Sequence, residues 1–542
     1  MTFSLFGTDG IRGQTSLEHL NDEESIERLI DDRTLTPAFM RLLGESLAYA
    51  MSRLPGSGEV VVIGWDDRPH NTELVASLTL GLRLNGCYVV HLGLCATPAL
   101  HAAVLEHKAR MGCMITASHN PVSDSGIKVF DGFGYKSTPM FEQDLSQVVR
   151  DLSQEEREVN EDEQARLKVP DLALDLSVGV TFHRTWLARR WTLFDELFGG
   201  CSNALNSGRL ANPLLLDCAG GSGASWLAEF LTQRGAPAEE VSHSASALNK
   251  NCGAGDFSPT QTWTHSEASS SPHALLSALQ PAPAGQLVAA ALDGDGDRCL
   301  FIESTEDGYK IVDGDGMAAM MLEASSTGPW RFAASIESDV ALTSFVEGLH
   351  PGNQCMESAV GDRWLSEALR TNTVGMFQSE TMPLCLGVED SGHVVLPAPH
   401  EQHPNSWALV GDGAATLCAF ILSQDRATAE SFQRGWKRRR SIAPSERSVW
   451  AVGKPAFNEL RSQAITSFEQ RGMTCSVRAL AGEADLLLLH GTSPSGSLSL
   501  GIRNSGTQAK TNVSLRLSPG LDPEQFKPVL GELVTALTVW VQ

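Results

Sequence analysis

Met111-Gly112-Cys113-Met114-Ile115-Thr116-Ala117-Ser118-His119-Asn120-Pro121 begins as a buried strand, Met111 to Ile115, and breaks into a tight polar loop. Pro121 fixes φ and Asn120 tolerates unusual backbone angles, so the break is a turn. A serine on such a loop is held by the backbone while its hydroxyl stays exposed, which suits a nucleophile or a phosphate carrier. Taken alone, Ser-His-Asn-Pro reads first as a plain polar turn, and it is the neighbouring stretches that change this reading.

Upstream, Glu59 to Trp65 is β-branched and strand-like. Asp66-Asp67-Arg68-Pro69 turns, Thr72 to Asn85 has helical spacing, and Tyr88 to Leu92 is the next strand. Strand, helix, strand at this spacing is a βαβ unit, so the sheet is mostly parallel with helices on its faces. The Ser118 loop then lies at the carboxyl end of a strand, where open α/β sheets place ligands. Lys128, ten residues beyond Ser118, reads either as an acid or base reaching back or as a solvated surface lysine. Phe6 to Gly13 is glycine-rich around Arg12, and is as much a plain turn as an anion-holding loop.

With 542 residues the chain exceeds one core and should form several domains. Its net charge of −24 argues against nucleic acid or an anionic membrane as partner. An anionic substrate would need a local positive pocket. The 11 cysteines are scattered and lack a CxxC pair, which disfavours a disulfide framework or zinc. No apolar run reaches about 18 residues and Met1 to Gly13 has no signal-peptide core, so the expected compartment is the cytoplasm.

Further along, the charge-dense Asp151 to Arg166 reads as a solvated helix or linker. Leu214 to Asp217 is a second-block strand, and Ser266 to Ala284 reads as a surface loop or insertion. The apolar strand Leu287 to Leu292 leads into Asp293-Gly294-Asp295-Gly296-Asp297-Arg298. Three carboxylates at alternate positions can converge on one cation, and hard oxygens suit Mg²⁺. An EF-hand is excluded, because loop position twelve is Ser304 and a strand precedes the loop. Gly387-Val388-Glu389-Asp390-Ser391-Gly392-His393 offers acceptors and donors for sugar hydroxyls and a titratable imidazole. Asp412 is placed to cap the helix Ala414 to Ile421. The basic run Arg434 to Arg440 reads as a linker. Gly501 to Lys510, with Arg503, Ser505, Gly506, Thr507 and Lys510, is either a phosphate cradle or an ordinary polar hairpin.

With these loops in order, the chain resembles the α-D-phosphohexomutase superfamily over nearly its whole length, and within it the bacterial phosphoglucosamine mutases. The carriers are Thr116 to Pro121, Asp293 to Arg298, Glu389 to His393 and Arg503 to Thr507, supported by Phe6 to Gly13, Gly126-Ile127-Lys128, Asp217-Cys218-Ala219, Asn249, Cys252-Gly253-Ala254 and Gly361-Asp362-Arg363. The resemblance implies an α/β protein: three related α/β domains with mixed sheets plus a smaller α+β C-terminal domain around a central cleft. The expected divisions are 1–170, 171–312, 313–440 and 441–542. It implies a mutase moving a phosphoryl group between the 6- and 1-positions of a hexosamine, with glucosamine phosphate favoured over glucose or mannose phosphate. Ser118 would be the phosphoserine, and with Asp293, Asp295 and Asp297 would hold Mg²⁺. Arg12, Lys128 and His393 would assist proton transfer and charge stabilisation. His119, Arg298, Glu389, Ser391 and Gly392 would meet the sugar, and Arg503, Ser505, Gly506, Thr507 and Lys510 its non-reacting phosphate. The expected partner is a small sugar phosphate, with no nucleic acid or membrane, on a monomer or homodimer. Departures from the family pattern are extra length around 150–210 and 257–285, Ser125-Gly126 in place of Asn-Gly, and Gln508-Ala509-Lys510 where Glu-Pro is common. A non-catalytic sugar-phosphate binder and a metal-dependent phosphatase are the alternatives of other classes.

Overall fold

The computed structural model describes residues 4–7, 9–155, 164–175, 177–199, 208–371, 375–400, 402–424, 432–505 and 509–542. Their strands form four sheets. The first runs, edge to edge, Thr34–Leu35, Ile11–Thr15, Asp124–Asp131, Met111–Ile115, Val60–Trp65, Tyr88–Leu94 and Leu172–Ala173. The second centres on Leu210–Asp217, Leu287–Leu292 and Cys299–Ser304. The third centres on Arg331–Ser335, Cys385–Val388 and Val394–Pro399. The fourth is antiparallel throughout, Trp436–Ile442, Thr511–Leu517, Gly496–Asn504, Leu487–Ser493 and Thr474–Arg478, and carries the helices Pro455–Glu469 and Pro523–Val541.

One device recurs in the first three sheets. A buried strand runs parallel to one neighbour and then folds back antiparallel to the next. Met111–Ile115 lies parallel to Val60–Trp65 and antiparallel to Asp124–Asp131. Leu287–Leu292 stands likewise between Leu210–Asp217 and Cys299–Ser304. Cys385–Val388 does so between Arg331–Ser335 and Val394–Pro399. The fold-back loops are the Ser118, Asp293–Asp297 and Glu389–His393 stretches. In the fourth sheet the loop between Gly496–Asn504 and Thr511–Leu517 is the Arg503–Lys510 stretch. Each loop therefore leaves the carboxyl end of a central strand, where side chains face a cleft and not a core.

The second and third units share one apolar core, and the helix Val178–Phe198 sits inside it through Leu187, Trp191, Phe194 and Phe198. The same helix lies on Thr97–Glu106 of the first unit, where Trp186 stacks on His101 with ring centroids 5.5 Å apart. Its fully buried Arg190 donates to Asp412 at 2.7 Å, and Asp412 caps Gly413–Ser423 as expected. The fourth unit has its own core. It meets the third mainly through charged side chains, with a small apolar patch at Ile336, Leu486 and Leu488. No helix among the described residues is long and apolar enough to cross a membrane.

Several sequence readings need correction. The basic run is no linker: Trp436–Ile442 is an edge strand of the fourth sheet, so that sheet starts before residue 441. Its dense charge hides a strand's two-residue alternation. Leu172–Ala173 pairs with Tyr88–Leu94, so the first sheet extends beyond residue 170. Ser266 to Ala284 contains two short helices, His265–Ser269 and Ala274–Ala278, whose Ala268, Leu275 and Leu276 are buried. Part of the Asp151–Arg166 stretch lies outside the described residues.

Candidate active site

Ser118 has the positive φ of +54° that L residues rarely adopt, a conformation that costs about 1 kcal/mol or more and persists only where its surroundings enforce it. They do. The Ser118 backbone N–H donates to Thr116 Oγ1 at 2.9 Å, and Thr116 donates to Asp66 at 2.6 Å. Arg68, itself paired to Asp66, donates to the carbonyls of Ser118, Pro121 and Asp124 at 2.6, 2.6 and 2.9 Å. Asn249 of the second unit reaches the Ser118 carbonyl at 2.7 Å. The turn after Trp65 is thus the bracket of the serine loop. Arg12 tightens it further, donating to the Ala117 carbonyl and the Asn120 side chain at 3.2 and 3.3 Å.

The Ser118 hydroxyl is buried, contrary to the exposed position expected, because the metal loop covers it: Ser118 Oγ donates to Asp293 at 2.9 Å. Carboxyl oxygens of Asp293, Asp295 and Asp297 all lie within 4.8 Å of one another. Lys128 Nζ sits among them, 2.6 Å from Asp295 and 2.7 Å from Asp297, with Asp9 at 3.2 Å. Thr97 donates to Asp295 at 2.5 Å, and the other oxygen of Asp295 is buried without a hydrogen-bond partner among the described residues. Hard oxygens, a serine hydroxyl and one orphaned carboxylate oxygen are a donor set that fits Mg²⁺.

Charge dominates the chemistry of this cluster. Burial, then Asp297 and Asp295, raise Asp293 to about 7. Against burial, His393 and Lys128 hold Asp297 well below the usual carboxylate range. Against burial, the neighbouring carboxylates raise the Lys128 amine. His393 Nε2 lies 2.6 Å from Asp297 and Nδ1 3.1 Å from Glu389. Burial would lower this imidazole, but Asp297 raises it to about 10, so it is cationic at neutral pH.

Glu389 is held by the Gly361 backbone N–H at 2.5 Å and by Ser391 at 3.2 Å. Gly392 has a φ of +91°, and a Cβ there would stand 2.3 Å from the Cys299 carbonyl, so glycine is what lets the sugar loop lie on the metal-loop hairpin. Arg298 bridges the two loops, its Nε 3.4 Å from His393 Nε2 and 3.7 Å from Asp293. His119 is lowered to about 2 by Arg298 and then by burial, so it stays neutral. In the fourth unit Arg503 pairs with Glu483 at 3.1 Å and Glu337 at 3.5 Å, and the Ser505 N–H closes the loop on the Lys510 carbonyl at 2.8 Å. Gly506 and Thr507 lie outside the described residues.

Ser118, Lys128, Arg12, His393, Arg298 and the three aspartates thus meet at one point, with His119, Glu389 and Ser391 beside them. Arg503 and Lys510 belong to the neighbouring wall. Sequence reasoning missed Asp9, Thr97 and Lys136. Lys136 ties Asp9 to Asp362 at 2.8 and 2.7 Å. Only its place one turn beyond Lys128's strand hinted at a role.

Comparison with known proteins agrees with this geometry. Residues 4–156 match the model of phosphoglucomutase/phosphomannomutase alpha/beta/alpha domain I, and residues 313–436 that of domain III. A phosphoglucosamine mutase of Lysinibacillus sphaericus is 30% identical over 395 residues, 72% of this chain and 73% of its own length. One of Salinispora arenicola is 28% identical over 441 residues, 79% of each chain. Among solved structures, a Burkholderia thailandensis phosphoglucomutase/phosphomannomutase family protein shares the fold with a TM-score of 0.60 at 18% identity, covering 99% of this chain and 98% of that one. An Aspergillus fumigatus N-acetylphosphoglucosamine mutase, in complex with GlcNAc-6P and magnesium, does so with a TM-score of 0.53 at 14% identity, covering 93% and 99%. From the four fold-back loops and these likenesses together, the chain belongs to the phosphoglucomutase/phosphomannomutase family, the α-D-phosphohexomutases.

Proposed function

We propose that this chain is a hexosamine phosphate mutase, with glucosamine 6-phosphate and glucosamine 1-phosphate as its preferred pair, and that its four sheets mark four domains around the cleft. The observation that carries the reading is the meeting of Ser118 Oγ with Asp293 at 2.9 Å across two separate sheets, beside a cationic His393 and a buried Lys128.

In the proposed cycle Ser118 carries a phosphoryl group. Its P–Oγ bond breaks as a bond forms from phosphorus to the free hydroxyl of the bound sugar phosphate, giving the bisphosphate. That sugar turns over in the cleft and returns its other phosphoryl group to Ser118. Such transfer needs positioning and charge neutralisation more than covalent power. Arg12 and Arg68 fix the loop that carries Ser118. His393 and Arg298 neutralise charge on the transferring group. The proton of the attacking hydroxyl is passed on to Ser118 Oγ as the P–Oγ bond breaks, with Lys128, cationic at rest, giving one proton and taking up the other. Asp293, Asp295, Asp297 and Ser118 would hold Mg²⁺, which when bound neutralises the triad, polarises phosphoryl oxygens and loosens the carboxylates' hold on the Lys128 proton. Glu389 and Ser391 grip sugar hydroxyls, and Arg503 with Lys510 holds the phosphate that is not reacting.

The test is turnover of glucosamine 6-phosphate by purified enzyme with Mg²⁺ and a trace of glucose 1,6-bisphosphate, followed by phosphorus NMR. Intact mass should show phosphate on wild type and none on Ser118→Ala, which should be inactive. Full activity in Ser118→Ala would end the phosphoserine scheme. Faster turnover of glucose or mannose phosphates would move the substrate assignment, and net release of phosphate would make the chain a phosphatase.

A further inference from the structure

The basic run of the fourth unit supplies a side chain that none of the four loops provides. In the strand Trp436–Ile442 alternate residues face opposite ways. Arg438 and Arg440 line a surface groove with Lys527 and Leu530 of the last helix. Lys437 and Arg439 face the third unit. Lys437 Nζ is held by Asp315 and Asp390, both at 2.9 Å, and by Asp313 at 3.2 Å. This anchors the strand directly behind the sugar loop, since Asp390 follows Glu389.

Arg439, two residues on, is 41% exposed and projects into a cavity of about 660 Å³ that Glu337 and Asp390 also line. It donates to Glu337 Oε2 at 2.5 Å, while Arg503 lies 3.5 Å from Glu337 Oε1. One carboxylate therefore spans two guanidinium groups. Arg503 Nε is buried without a hydrogen-bond partner among the described residues. Lys510 is near enough that, after burial, Arg439 and Arg503 both lower its amine while Glu337 opposes them. Glu389 and Asp390 in turn act on Arg439 from the sugar-loop side. Three cations crowd one end of the cleft; Glu337 is the carboxylate that two of them share, while Glu483 holds Arg503 from the other side at 3.1 Å.

We propose that Arg439 is a further phosphate-binding residue of this chain, acting with Arg503 and Lys510, and that Glu337 is an internal anion that the substrate phosphate displaces. This rests on the sugar-phosphate reading above. A carboxylate bridging two guanidiniums makes the contacts that phosphate makes, but with two oxygens and one charge against three oxygens and nearly two charges. Phosphate therefore wins the site, and Glu337 keeps the arginines aimed and mutually screened until it arrives.

The experiment uses the full-length Ser118→Ala enzyme, titrated calorimetrically with glucosamine 6-phosphate and separately with inorganic phosphate. Arg439→Met should weaken both about tenfold to hundredfold, as expected for a charge-assisted hydrogen bond, with Arg439→Lys between. Lys527→Met removes a positive charge from the groove on the opposite face and should leave both affinities unchanged. Glu337→Gln should tighten inorganic phosphate several-fold, since a competitor has gone, whereas a mere prop would loosen it. The proposal is overturned if Arg439→Met binds normally, if Lys527→Met loses as much, or if Glu337→Gln weakens binding. Failure of the parent enzyme to bind either ligand would instead overturn the sugar-phosphate reading, and this proposal with it.

Discussion

Replacing Lys128 with methionine should raise the enzyme's affinity for Mg²⁺ while lowering its turnover. The Lys128 ammonium stands 2.6 and 2.7 Å from the carboxylates of Asp295 and Asp297, two of the three that would hold the ion. It competes for their oxygens and repels a dication that shares them. At an effective dielectric of about 20, two unit charges about 4 Å apart interact by about 4 kcal/mol. A third of that, after relaxation and screening, is about 1.4 kcal/mol, or a tenfold tighter ion. The metal-free variant should also be less stable by about 3 kcal/mol, because the buried Asp295 and Asp297 and the half-buried Asp9 each lose a cationic partner, and Mg²⁺ should restore more stability to it than to wild type. Calorimetric titration of dephosphorylated protein with MgCl₂, paired with denaturant melts with and without the ion, reads both. Equal or weaker Mg²⁺ binding in the variant would refute the view that lysine and metal oppose each other at one site.

Burial raises Asp131 to about 6 from a usual value of 3.8. The folded chain therefore keeps a proton that the unfolded chain releases, and this residue's contribution to stability falls as pH rises from about 4 to 6, by about 2–3 kcal/mol. Both its hydrogen bonds, from the Phe133 and Tyr135 amides, end on Oδ1, so Asp131→Asn keeps them, and melts across that range should show a flatter profile and a variant no less stable at pH 8. Arg190→Met takes the guanidinium from the buried Asp412 carboxylate, leaving it His183 at 3.2 Å and the Ala415 N–H at 3.1 Å, and should cost about 3 kcal/mol, most of it recovered when Asp412→Asn is added; a double variant as damaged as the sum of the singles would contradict this. Gly392→Ala must push its Cβ away from the Cys299 carbonyl, which should displace Glu389 and His393 and cut kcat/KM at least a hundredfold with little loss of helical CD signal.

Much of the site was legible in the sequence because each loop carries its chemistry within a few residues. Alternating aspartates, a serine before Asn-Pro and a glycine-flanked Glu-x-Ser-Gly-His announce themselves locally. What did not show were groups made functional by distant chain. Thr97 belongs to a helix start and touches Asp295 only because two sheets meet there. Asp9 and Lys136 look like surface charges until the first and third units close over them. Arg439 sat in a run whose charge suggested a linker, and its meaning depends on Glu337, more than one hundred residues earlier. The fold was easier, since the βαβ spacing and the short apolar strands each determine a local choice. The short helices of 265–278 were missed because serine and proline outweigh three buried apolar residues in any local tally.

The helix Val178–Phe198 gives the molecule a mechanical asymmetry. By lying in the core of two units and against a third, it welds three-quarters of the cavity wall into one block. The remaining quarter is fastened by ion pairs at Lys437 and Arg439, by Arg516 at 3.2 Å from Glu357, and by a thin greasy contact. The last hundred residues are thus the part held least firmly, and added electrolyte, which weakens such a seam, should loosen their attachment without softening the block behind it.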